Sequence, residues 1–335
     1  TTLINRLLAH PDFADSAVIL NELGKTALDT DLVERADDGI VSLGSGCVCC
    51  VVRGELIEAL ERLLRGLDNG RIARIARVII EADAAADPSG IVGSVARHPY
   101  LVLRYRHDGI VVVIDVGRVQ AMFQTGRATV RQLAMADAIV LSAPGGADAG
   151  AARERLAGLN PGAEITDLET VVPSDLAGRG AFDPVITDPA LWLHRGLPAR
   201  RVEGGGEAAR VSMFAVERER MIPFGALDRF LEYLAALKAK DLIRVRGVVA
   251  IEDGQRVAVS GLGGLFDPPR LIEGNVAPGP ATRFAVVATD FDKAAFEAAL
   301  DAFLNEARID GPDRQALIDN PLALAGFSAR PGRGG

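Results

Sequence analysis

Ile40-Val41-Ser42-Leu43 runs into Gly44-Ser45-Gly46-Cys47-Val48-Cys49-Cys50, and an amphipathic stretch over 54–67 comes next. The first four residues are short, aliphatic and rich in β-branched side chains, which predicts a strand. The glycines permit a tight turn after it. Leucines or isoleucines at 56, 57, 60, 63, 64 and 67 then fall on one face of a 3.6-residue period, which predicts a helix. The same alternation recurs along the first half of the chain. Short apolar runs at 17–20, 78–80, 110–114 and 138–141 are apolar on both faces, as buried parallel strands are. The expected fold is α/β, a doubly wound and mainly parallel sheet. Ligands in such sheets sit beyond the carboxyl ends of the strands. Asn21-Glu22, the stretch 44–50, Glu81 and Asp115 all fall just past such ends.

Beyond residue 171 the pattern changes. Residues 172–208 lose periodicity, gain Pro, Gly and Arg, and close on Gly204-Gly205-Gly206, which reads as a linker. A second, smaller module of α+β type is expected over 209–310. It has strands at 211–216, 242–251, 256–260 and 284–288, helices at 224–238 and 291–304, and a hairpin signal at Asp253-Gly254. Residues 311–335 read as a tail. Thr1 to Leu8 reads as a helix already under way, apolar at 3, 4, 7 and 8, so a preceding segment is expected to be absent.

Composition narrows the function classes. Asp and Glu (45) outnumber Lys and Arg (37), giving a net charge of −8, so a nucleic-acid partner is not expected. No apolar run reaches membrane-spanning length, and no signal peptide is expected. All three cysteines lie at 47, 49 and 50. Clustered thiolates suit zinc and related soft or borderline ions, and three of them leave a tetrahedral ion one ligand short, as a site that exchanges its metal requires. A redox pair formed by Cys47 and Cys50 and a purely structural role are the competing readings. Clustered thiols without a targeting signal favour the cytoplasm.

The chain resembles the CobW-type P-loop GTPases, also described as zinc metallochaperones. Thr1-Thr2-Leu3-Ile4-Asn5-Arg6-Leu7-Leu8 matches the Thr-Thr helix start. Asn21-Glu22-Leu23-Gly24 matches Asn-Glu-x-Gly, and Gly46-Cys47-Val48-Cys49-Cys50 matches Gly-Cys-x-Cys-Cys. Glu81-Ala82-Asp83-Ala84 matches the family's third strand end, and Ala86-Asp87-Pro88 its Ala-Asp-Pro. Gln132, Ala136-Asp137, Asn160-Pro161 and the stretch 242–247 also fall in place.

The resemblance implies a P-loop NTPase-like first domain (1–171) and a CobW C-terminal domain (209–310). It implies binding and slow hydrolysis of GTP with Mg²⁺, and transfer of Zn²⁺ or a related ion to a client protein. Cys47, Cys49 and Cys50 would be the metal ligands, with Glu22 as the protein-supplied fourth. Thr1 and Thr2 would lie at the magnesium and phosphates, and Glu81 would be the catalytic carboxylate. A homodimer could complete the open coordination site.

Four departures accompany the match. The glycine-rich loop and lysine that should precede Thr1 are not in the sequence. The strand feeding them, central in this architecture, is also not there, so two unpaired edges and weak nucleotide binding are expected. Ser142-Ala143-Pro144-Gly145 stands where Asn-Lys-x-Asp reads the base, removing the basis for choosing GTP over ATP. Ala84 replaces a glycine, and Lys25 a commonly acidic residue.

Overall fold

The computed structural model describes residues 2–21, 40–43, 51–82, 86–119, 127–143, 148–180, 192–193, 211–251, 254–273 and 279–304. The first half contains α1 (Thr2–Leu8), β1 (Ser16–Asn21), β2 (Ile40–Leu43), α2 (Val51–Asp68), β3 (Arg77–Glu81) and α3 (Pro88–Ala96). It continues through α4 (Leu101–Arg104), β4 (Val111–Asp115), α5 (Arg127–Met135), β5 (Ala138–Ser142), α6 (Gly150–Leu159) and β6 (Glu164–Asp167). All strand pairs here are parallel, in the orders β2-β1-β3 and β4-β5-β6.

Alternation along the two central strands explains the double winding. In β1, Ala17 and Ile19 pack with Leu56 and Leu60 of α2, whereas Val18 and Leu20 pack with Ile4 and Leu8 of α1. In β5, Ile139 and Leu141 face Val130 and Leu133 of α5, whereas Ala138 and Val140 face Leu3 and Leu7 of α1. Each strand is apolar because both of its faces are covered.

The parallel sheet is in two halves. Among the described residues β3 ends one and β4 ends the other, with no hydrogen-bonded ladder between them. α1 spans them, with Ile79 of β3 packed against both the Leu3/Leu7 and the Ile4/Leu8 clusters. An ion pair of 2.8 Å between Arg77 Nε and Asp108 Oδ2 joins the amino-terminal ends of the inner strands. Val113 of β4 is 48% exposed, unusual for an apolar side chain within a parallel sheet.

The second half contains β7 (Val211–Arg218), α7 (Phe224–Leu237), β8 (Leu242–Ala250), β9 (Arg256–Leu262), β10 (Leu265–Phe266), β11 (Arg270–Leu271), β12 (Thr282–Thr289) and α8 (Lys293–Leu304). Its sheet is antiparallel, in the order β10-β9-β8-β12-β7. β8 and β9 form the hairpin expected around Asp253-Gly254, with Ala250 opposite Arg256 and Gly254 at φ +75°.

α7 and α8 cover one face of this sheet. There Phe230, Phe284 and Phe296 meet edge to face with ring centroids 5.5–6.0 Å apart. The other face meets the first half of the chain: Val211, Ile243, Leu262 and Val287 share one apolar cluster with Val130 and Leu133 of α5. Within the stretch 172–208, Pro173–Leu176 forms a 3-10 turn, and Trp192 and Leu193 pack against Val248, Ala258 and Ala285 of the antiparallel sheet. Among the described residues no helix is long and apolar enough to cross a membrane.

Candidate functional site

The register of the parallel strands gathers the chain exits on one edge. Leu20 lies beside Ser42 on one side and Glu81 on the other, and Asn21 lies beside Leu43. The chain therefore leaves β1, β2 and β3 from neighbouring positions. Glu81 is the last residue of β3, is half-buried and is not without a partner. Thr2 opens α1 and is exposed. At the end of β4, Asp115 accepts a 2.8 Å bond from the Gly117 N–H and so caps the following turn.

Cys47, Cys49, Cys50, Glu22 and Thr1 lie outside the described residues, as do positions 83–85 and 144–147. α2 begins at Val51, immediately after Cys50. Among the described residues, no three His, Cys, Asp or Glu side chains are grouped to hold a metal ion.

Several residues of the sequence pattern tie down the backbone around the parallel strands, at both of their ends. Asp87 caps α3, accepting from the Ser89 N–H at 2.9 Å and the Ser89 hydroxyl at 2.6 Å. Gln132 donates through Nε2 to the Ala86 carbonyl at 2.5 Å, fixing the chain between β3 and α3. Asn160 Nδ2 donates to the carbonyls of Leu133 (2.7 Å) and Ala136 (2.9 Å), satisfying the carboxyl end of α5. These polar side chains are needed because the backbone they serve is buried.

Asp137, just ahead of β5, is the centre of a buried charge cluster at the opposite end of the strands. Its side chain is 2% exposed and pairs with Arg244 and Arg246 of β8, the latter at 2.7 Å. It also accepts the Ile110 N–H at 2.9 Å. Arg246 donates further to the carbonyls of Trp192 and Arg179, both at 3.1 Å. Burial by itself would raise the Asp137 pKa, but the Arg244 and Arg246 charges outweigh it and hold the pKa at about 2.

His107 lies in the same interior, with its Nε2 lacking a hydrogen-bond partner. Burial pushes its pKa down, against the pull of Asp137, and keeps the ring neutral. Burial pushes nearby Asp267 up. The arginine pair had a sequence signal: residues 244 and 246 alternate within an apolar strand, so both point to one face and require a partner there.

A doubly wound parallel sheet with its chain exits on one edge, followed by an antiparallel sheet backed by two helices, defines a P-loop NTPase-like protein with an appended α+β domain. Residues 1–167 match the CobW/HypB/UreG nucleotide-binding domain, and residues 211–304 match the cobalamin synthesis protein CobW C-terminal domain. The chain belongs to the CobW-type family.

The zinc chaperone YjiA of Escherichia coli K12 is 28% identical over 256 residues, covering 75% of this chain and 78% of that one. The zinc chaperone CobW of a Sinorhizobium species is 30% identical over 127 residues, 36% of this chain and 34% of its own. The zinc-regulated GTPase metalloprotein activator 1 of Schizosaccharomyces pombe is 31% identical over 121 residues, 34% of this chain and 28% of its own. The crystal structure of the Zn(II)-bound YjiA GTPase from E. coli superposes with a TM-score of 0.55 at 21% identity, covering 87% of this chain and 98% of that one. A Zn(II)-bound triple mutant of the same GTPase gives 0.59 at 18% identity, covering 89% and 94%. These likenesses carry the fold.

Proposed function

We propose that this protein is a GTP-dependent metallochaperone that holds zinc, or a related divalent ion, on Cys47, Cys49 and Cys50 and passes it to a client protein. The observation that carries the reading is the placement of every thiol of the chain in one stretch between β2 and α2, in a family whose relatives are named zinc chaperones. Glu22, which comes directly after β1, is the proposed fourth ligand. Its strand neighbours β2, whose exit leads to the cysteines. Three thiolates and one carboxylate would complete a tetrahedral zinc shell, and loss of the carboxylate would reopen it for transfer.

GTP is the proposed nucleotide and hydrolysis the proposed reaction, with Glu81 as the carboxylate at the end of β3. Thr1 and Thr2 are assigned to Mg²⁺ and the phosphates. Hydroxyl and carboxylate oxygens are a donor set that fits this hard cation, which would neutralise phosphate charge when bound.

Ser142-Ala143-Pro144-Gly145 favours a second reading, a metal-binding adaptor that works without nucleotide. On that second reading, labelled GTP and ATP should bind this chain with similar affinity. Tight, GTP-selective binding would contradict that assignment. For the metal, equilibrium dialysis of the reduced protein should retain about one zinc per chain or per dimer, and Cys49→Ser should abolish retention. Disulfide cycling with no zinc retained would instead establish a thiol redox protein.

A further inference from the structure

We propose that α3 is the element through which the metal-binding stretch and the C-terminal domain sense each other; this rests on the zinc reading above. α2 starts one residue after Cys50, so drawing three sulfurs onto one ion fixes the backbone entering its first turn. Leu56, Leu60 and Leu63 of α2 share an apolar cluster with Ile91 and Val95 of α3. Close packing passes a shift of one helix to its neighbour, because a packed interior has no slack to absorb it.

A different face of α3 carries the C-terminal domain. The β9–β10 turn is Gly263-Gly264, at φ +58° and +75°, and it is pressed against Ser89. A β-carbon built at Gly263 would lie 2.4 Å from the Ser89 Cβ, and one at Gly264 would lie 2.3 Å from the Ala239 Cα. One helical turn along, Gly93 leaves room for Leu265, whose Cδ1 would sit 3.1 Å from a β-carbon there.

The amino end of α3 is held to the same domain by a second route. Arg131 pairs with Asp87 at 3.0 Å, an ion pair not aligned as a hydrogen bond, and donates through Nη1 to the Lys240 carbonyl at 3.3 Å. Ala86, five residues after Glu81, is tied to α5 by Gln132. α3 is thus clamped between the helix that succeeds the cysteines and the hairpin of the second domain. A coupling carried through this clamp acts in both directions, because linkage is reciprocal.

The test is amide hydrogen exchange on the full, reduced chain, with Zn²⁺ alone as the probe, in wild type and Leu265→Ala. Leu265 is only partly buried, so its truncation leaves the core intact. In wild type, zinc should raise protection in residues 89–96 and in the turn 262–266. In Leu265→Ala the same zinc stoichiometry should hold and α3 should still respond. The response of the turn should fall at least twofold, and by reciprocity the zinc Kd should shift. Zinc uptake with no change in α3 or the turn, or an unaltered turn response in the variant, overturns the coupling while leaving the metal site standing. No zinc uptake at all overturns the metal reading, and the coupling with it.

Discussion

Asp137 is held by two arginines from a different domain, and the stability of the chain should depend on it more than on any surface pair. Removing one member of a buried ion cluster leaves the other charges unpaired in a low-dielectric interior. Asp137→Asn is therefore expected to cost about 3–5 kcal/mol in urea unfolding, whereas an exposed pair such as Arg62–Glu58 contributes under about 1 kcal/mol. A loss below about 1 kcal/mol for Asp137→Asn would contradict its structural role. The pH response arises in the same interior. The folded pKa of Asp137 lies near 2, below its usual value, so its contribution is complete above about pH 4 and is lost as pH falls from there toward 2. His107 is also depressed when folded, so the unfolded chain takes up its proton first. Its contribution is present above about pH 6.5 and declines as pH falls below that value. Asp267 is shifted upward, so its contribution runs the other way and favours folding on the acid side. Thermal unfolding between pH 7 and pH 5 should show the histidine contribution as a falling midpoint, and His107→Gln should flatten that slope. An unchanged slope in the variant would remove His107 from the explanation.

Among the elements, legibility in the sequence depended on how much of each segment is buried. β1 to β5 were legible as β-branched apolar runs, and α2 was legible from one leucine-rich face. α3 was not: Pro-Ser-Gly-Ile-Val-Gly-Ser-Val-Ala has no helical stripe, because its small residues meet a hairpin rather than a leucine layer. β10 and β11 are two residues each, too short to show a period. The place of Glu81 at a strand end was legible from the apolar run before it, whereas the cysteine stretch lies outside the described residues. Asp137 shows in the sequence only as part of a motif, since its arginine partners come from more than 100 residues away. Asn160 illustrates the cost of such unseen links. Asn160→Ala would leave the Leu133 and Ala136 carbonyls buried without their donor, an expected loss of about 1–3 kcal/mol in chemical denaturation.

At the scale of the molecule, the two family domains share one apolar cluster, with Ile243, Leu262 and Val287 against Val130, Leu133 and Ile139. A core common to both should melt as one unit, so calorimetry of the full chain is expected to show a single transition. Two resolved transitions would mean that the domains fold independently. Among the described residues, β3 and β4 are joined by their packing on α1 and by the Arg77–Asp108 pair.

The proposed metal site is tested most directly by X-ray absorption at the zinc edge on the reduced, zinc-loaded chain. Three sulfur scatterers at about 2.3 Å with one lighter oxygen or nitrogen are expected, and no bound zinc in Cys49→Ser. A first shell of oxygen and nitrogen alone would contradict a thiolate-held cargo ion.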